Sequence, residues 1–138
     1  MGKRRKAREA ALQILYQADV TWEDRESQRT GSRSQSGPLG EEVDPFTAEL
    51  VDGTLDHLEE IDGEIGRWSE HWSLDRMGIV DRNILRFATY ELLFRNDIPS
   101  SVTINEAVEI AKKFGSEESS MFINGVLDRI LRERRRDP

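Results

Sequence analysis

The stretch from Thr103 to Leu131, TINEAVEIAKKFGSEESSMFINGVLDRIL, leaves the fold least freedom, because it carries two apolar stripes at helical spacing with a turn signal between them. Ile104, Ala107, Val108, Ala111 and Phe114 recur at steps of three and four and so share one face of a helix. Thr103 reads as its N-cap, with Glu106 three residues on completing a capping box, and Gly115 reads as the left-handed residue that ends it. Ser116 and Ser119 both suit the start of a second helix, whose stripe is Phe122, Ile123, Val126, Leu127, Ile130 and Leu131. Two amphipathic helices joined so tightly must bury their stripes against each other and against further helices. Asn124-Gly125 interrupts the second stripe and is expected to serve helix packing, the amide bonding internally and the glycine allowing close approach.

The rest of the chain supplies those helices. Residues 4 to 21 read as a helix with Ala7, Ala11, Ile14, Leu15 and Ala18 inward, and with Arg4, Arg5 and Arg8 left in solvent. Residues 23 to 43 have almost no apolar content, cannot repay the entropy of ordering, and are expected to form a mobile loop. Asp44-Pro45 gives an N-cap followed by proline at the first helical position. Phe46, Leu50, Leu55, Leu58, Ile61, Ile65, Trp68 and Trp72 continue as a stripe over two helices, with a break expected near Asp62-Gly63. A further helix from about Ile79 turns Ile84, Leu85, Ala88, Leu92 and Leu93 inward and ends before Pro99. No convincing strand-like alternation occurs, so the expected fold is all-α, a compact arrangement of about seven helices in two small bundles. The whole of 1–138 reads as one domain, with an N-terminal half at 1–74 and a C-terminal half at 75–138.

Composition excludes more than it assigns. The chain has no cysteine, which removes disulfides, thiolate zinc sites and cysteine nucleophiles, and fits a reducing, cytoplasmic setting. The basic start followed by AALQILYQA is too short an apolar run, broken by Gln13, to read as a signal peptide, and no segment reaches the roughly 18 apolar residues of a membrane span. There is no glycine-rich phosphate loop, no HExxH and no GxSxG, and no cofactor is expected. His57 and His71 read as solvated helical residues rather than metal ligands, and Glu59-Glu60 and Glu117-Glu118 as solvated acidic faces.

The formal charge of minus 7 is unevenly spread. Residues 3 to 9 carry five bases against Glu9, residues 129 to 137 five arginines against two acids, so basic ends flank an acidic body. Lys3, Arg4, Arg5, Lys6 and Arg8 can neutralise phosphates, though taken alone they are more simply explained as a solvated basic tail. What favours a site is continuity with a helix that brings Tyr16 onto the same side as Arg5, Glu9 and Gln13, since an aromatic beside arginines can stack an unpaired base. Tyr16 as a residue rimming the core is the plain alternative.

INEAVEIAKKFG, FINGVLDRI, LRFATYELLFRNDIP and RRKAREAALQILYQAD together resemble the NusB family, bacterial RNA-binding factors of transcription antitermination. The resemblance covers most of the chain outside roughly residues 23 to 43. It implies a non-enzymatic factor that holds a short single-stranded RNA, boxA, through an arginine-rich start, the tyrosine of the first helix and the loop between the last two long helices. Carried onto this sequence, the implied RNA contacts are Arg4, Arg5, Lys6, Arg8, Tyr16, Phe114, Glu118 and Phe122. Met121 departs from the family, which often has a basic residue just before the phenylalanine of FxNG, and the 23 to 43 insertion is atypical. The implied protein partner is NusE, a basic small-subunit ribosomal protein, with Asp75, Asp81 and Glu91 as its candidate contacts, and the implied setting is the antiterminating RNA polymerase complex. Two other readings stay open. NusB-like domains also front ribosomal RNA cytosine methyltransferases, whose nucleophilic cysteine this chain lacks, and a homodimer could occlude the RNA face.

Overall fold

A computed structural model describes residues 3–21, 44–69 and 73–136. Among them are six α-helices, one 3-10 turn at Leu74–Arg76 and no strand. The helices are α1 Lys3–Val20, α2 Pro45–Asp56, α3 Leu58–Trp68, α4 Ile79–Phe94, α5 Ser100–Phe114 and α6 Glu117–Arg136. The expected all-α fold is thus what forms, with six helices against about seven. The expected 23 to 43 loop, and His71 and Trp72, lie outside the described residues.

Local signals set most helix ends. Asp44 Oδ1 accepts the Phe46 N–H at 2.8 Å with Pro45 in the first turn, which starts α2. Ser116 Oγ accepts the Ser119 N–H at 3.0 Å and starts α6. Four expectations are corrected. The break after α2 falls at His57, whose ring stacks on Phe94 with centroids 4.2 Å apart, while Gly63 sits inside α3 on an exposed face. An exposed helical glycine costs about 1 kcal/mol and does not by itself break a helix. Thr103 is no cap: α5 opens one turn earlier, after Pro99, and Thr103 is buried with its hydroxyl donating to Glu91 Oε1 at 2.9 Å. Gly115 has φ −120°, so handedness does not require glycine there; a Cβ would lie 2.9 Å from the Ala111 carbonyl oxygen. Asn124 and Gly125 are exposed, and no atom lies within 4 Å of a Cβ built on Gly125, so the pair does not serve helix packing.

α4 is the hub. Every residue from Asn83 to Glu91 is buried, and the helix touches α1, α2, α3, α5 and α6. Ile84, Leu85, Phe87 and Ala88 are fully covered, and the five apolar residues expected on the inner face of α1 are all buried, Ala7, Ala11, Ile14 and Leu15 against the same core. A helix enclosed on all sides must also satisfy its polar residues. Glu91 accepts a two-pronged bond from Arg8 of α1 at 2.7 and 2.8 Å. Arg86 makes another to Asp62 of α3, at 2.9 Å through each prong, and shares Asp19 of α1 with Arg82 and Asn83. α1 is therefore fastened to α4 at both ends, by Arg8 and by Asp19.

Candidate nucleic-acid interface

The fastening of α1 decides which expected contacts are available. Arg8 is 2% exposed and committed to Glu91, which is itself 1% exposed. Arg8 is thus corrected from a phosphate contact to a structural residue, and Glu91 from a partner contact to its buried counter-ion. Arg5 donates to both carboxylate oxygens of Glu106 on α5, through Nη2 at 3.0 Å and through Nε. That bond raises the Arg5 guanidinium and holds the Glu106 carboxyl below its usual range. Arg4 and Lys6 stay exposed, but they diverge: Arg4 lies over the Phe46 ring, 4.1 Å from its centroid, towards α2, while Lys6 falls on the outer side of α1.

Tyr16 is 41% exposed on that outer side. One turn and more before it, Glu9 accepts from Lys113 Nζ at 3.2 Å, and the same ammonium lies 5.3 Å from the centroid of Phe114, which is 45% exposed. Lys113, absent from the sequence reading, thus joins the outer face of α1 to the ring at the end of α5. Its signal was faint, a basic residue in the last helical turn beside an aromatic.

Phe122 is half-buried and lines an open cavity of about 450 Å³ together with Arg76, Met77, Asp81, Ser116, Glu118 and Ser119. Asp81, expected to meet a protein, and Glu118, expected to meet RNA, therefore share one cavity. Asp75 is exposed in the short turn before α4. Burial pushes the Asp81 carboxyl above its usual range, and the hydrogen bond donated by Ser119 Oγ at 3.2 Å only partly offsets it. A carboxyl raised on folding opposes stability when ionised. Asp81→Asn is therefore expected to raise the melting temperature at pH 7 and to make little difference below about pH 3, where the carboxyl is protonated in both states, as thermal unfolding at the two pH values will test.

Within the described residues no group of three or more histidine, cysteine or acidic side chains could hold a metal ion. Fold and site together define the class: a small all-helical protein of net negative charge that leaves cations and aromatic rings exposed at the start of α1 and the end of α5. The NusB family model matches residues 5–132, and the chain belongs to the NusB family. It is 52% identical over 129 residues to the transcription antitermination protein NusB of Desulfitobacterium hafniense, covering 93% of this chain and 87% of that one. Against the Geobacter sulfurreducens protein of the same name, identity is 50% over 130 residues, 94% of each chain. Among solved structures, T. maritima NusB superposes with a TM-score of 0.74 at 39% identity over 96% of this chain and 92% of that one. A structure titled as antitermination factors NusB and NusE in complex with dsRNA matches with a TM-score of 0.71 at 29% identity, over 94% and 96% of the two chains.

Proposed function

We propose that this chain is a non-enzymatic transcription antitermination factor that, with NusE, binds boxA-like single-stranded RNA in ribosomal RNA leaders and helps RNA polymerase resist termination. The observation that carries the reading is the Glu9–Lys113–Phe114 link, which joins α1, the helix that bears the exposed Lys6 and Tyr16, to the exposed Phe114 ring at the end of α5. Rings for unpaired bases beside cations for phosphates are what single-strand binding needs. The names of the relatives and the NusB–NusE–RNA neighbour point the same way. Phe122 and Glu118 extend the RNA side into the α4–α6 cavity, and Asp75 and Asp81 are the acids offered to NusE. No helix among the described residues is long and apolar enough to cross a membrane, which agrees with a cytoplasmic role.

Binding of a boxA RNA, with and without NusE, at several salt concentrations tests this. NusE is expected to tighten the complex. Of the four bases carried over as RNA contacts, Arg5 and Arg8 are held by carboxylates and Arg4 and Lys6 stay exposed, so the share of the log affinity against log salt slope due to these four falls from roughly 2.8 to roughly 1.4. A boxA RNA that fails to bind under both conditions would overturn the reading.

A further inference from the structure

A groove of about 730 Å³ separates α5 from α6. Ile104, Val108 and Leu131, all half-buried, give it an apolar floor, and the exposed amides of Asn105 and Asn124 stand along it. Beside Asn124 the exposed Gly125 leaves open space where a side chain would project. Among the described residues one acid lines the groove, Asp128, and its carboxylate accepts from Arg132 Nε at 3.1 Å in a solvent-exposed pair that, unlike the enclosed Arg8–Glu91 pair, leaves the other guanidinium nitrogens of Arg132 open to a phosphate. Past Leu131 the helix continues with exposed Arg132 and Arg134, part of the basic C-terminal run that the α1 site leaves unused. At the other end the lining reaches Pro99, two residues after Asp97, whose carboxyl is held down to about 2 by Arg95 first and by nearby Arg4 as well.

This chemistry selects among occupants. A basic protein surface would meet Arg132 and Arg134 with like charge. A purely apolar helix would leave the Asn105 and Asn124 amides without partners. A nucleic-acid strand satisfies both constraints, since amides donate to and accept from base edges and sugar hydroxyls, and arginines neutralise phosphates. We propose that the α5–α6 groove is a second single-stranded RNA subsite, taking nucleotides that flank those held on α1; the proposal rests on the RNA-binding function inferred above. Among the described residues no aromatic ring lines the groove, so its contribution is charge and amide contact without stacking.

The test uses the full chain, a minimal boxA RNA, and the same RNA carrying unstructured adenosine tails at both ends. For the wild type the tails are expected to raise affinity on the order of tenfold at low salt and to steepen the log–log salt slope by roughly 1.4, from two added phosphate contacts. In the R132A/R134A double variant that increment disappears while the minimal RNA binds as before. Arg134→Ala alone, which keeps the Asp128–Arg132 pair, removes about half of the added slope. Asn105→Ala with Asn124→Ala cuts the added affinity and leaves the slope. Tails that add nothing, or an increment that survives in R132A/R134A, overturn the proposal. So does a wild-type chain that light scattering finds dimeric, with Asn124→Arg monomeric and tails inert, because the groove then serves self-association. Failure of the minimal RNA to bind wild type sinks the α1 reading instead, and tailed RNA then reports the groove alone.

Discussion

Arg8→Ala is expected to destabilise the fold by about 3 to 5 kcal/mol while leaving the RNA affinity of the folded molecules nearly unchanged. The reason is burial: Arg8 and Glu91 are almost completely enclosed, and truncating one strands the charge of the other with only the Thr103 hydroxyl beside it. Guanidinium chloride unfolding measures the first effect, and RNA binding at low temperature the second. Arg8→Met combined with Glu91→Leu removes both charges at once and should recover most of the loss. If Arg8→Ala unfolds like wild type but binds RNA poorly, Arg8 is a phosphate contact after all, and the pair must open on binding.

Tyr16→Ala is expected to do the opposite, weakening single-stranded RNA by about 1 to 3 kcal/mol, or roughly five- to 150-fold, with little change in stability. The ring is two-fifths exposed and so contributes little to the core. Its loss removes a stacking surface without removing charge, so the salt slope stays as it was. Tyr16→Phe keeps the ring and should bind nearly as wild type. Filter binding across salt concentrations decides the matter, and wild-type affinity from Tyr16→Ala would leave Tyr16 as a residue that merely rims the core.

The helices were legible in the sequence because each buries an apolar stripe; the stripes of α1, α4 and α6 are largely the ones observed, whereas in α5 Ile110 is buried and Phe114 is exposed. What failed was the treatment of charged residues as surface by default. Arg8 follows Ala7 and precedes Ala11 and Leu15 at steps of three and seven, so it sits on the buried stripe; Glu91 holds the same relation to Ala88 and Ile84. Periodicity alone could have placed both inside, but only their contact across 83 residues makes two buried charges tolerable, and that contact is tertiary. The Thr103 cap failed for a related reason: the motif's local pattern was right, yet Glu91 and Arg5 offered Thr103 and Glu106 stronger partners on other helices. For the proposed site, Tyr16 and Phe114 were readable as residues, but the Lys113–Glu9 pair that joins their helices was not, because its members are 104 residues apart.

The two fastenings of α1 to α4 make the helix a gauge. Arg8 and Asp19 are bolted to α4 about 16 Å apart in helical rise, with Tyr16 between them and Lys6 half a turn outside, so α1 cannot swing away from α4 and the spacing of its side chains is held at that of the helix. A strand whose phosphates and stacked base match that spacing docks without distorting the protein, and one with an inserted nucleotide has to bulge it into solvent. With the strand held as proposed, by the cations at the start of α1 and by Tyr16, spacing is tested before any base is read, and a single-nucleotide insertion in the target should be rejected more sharply than many single-base changes.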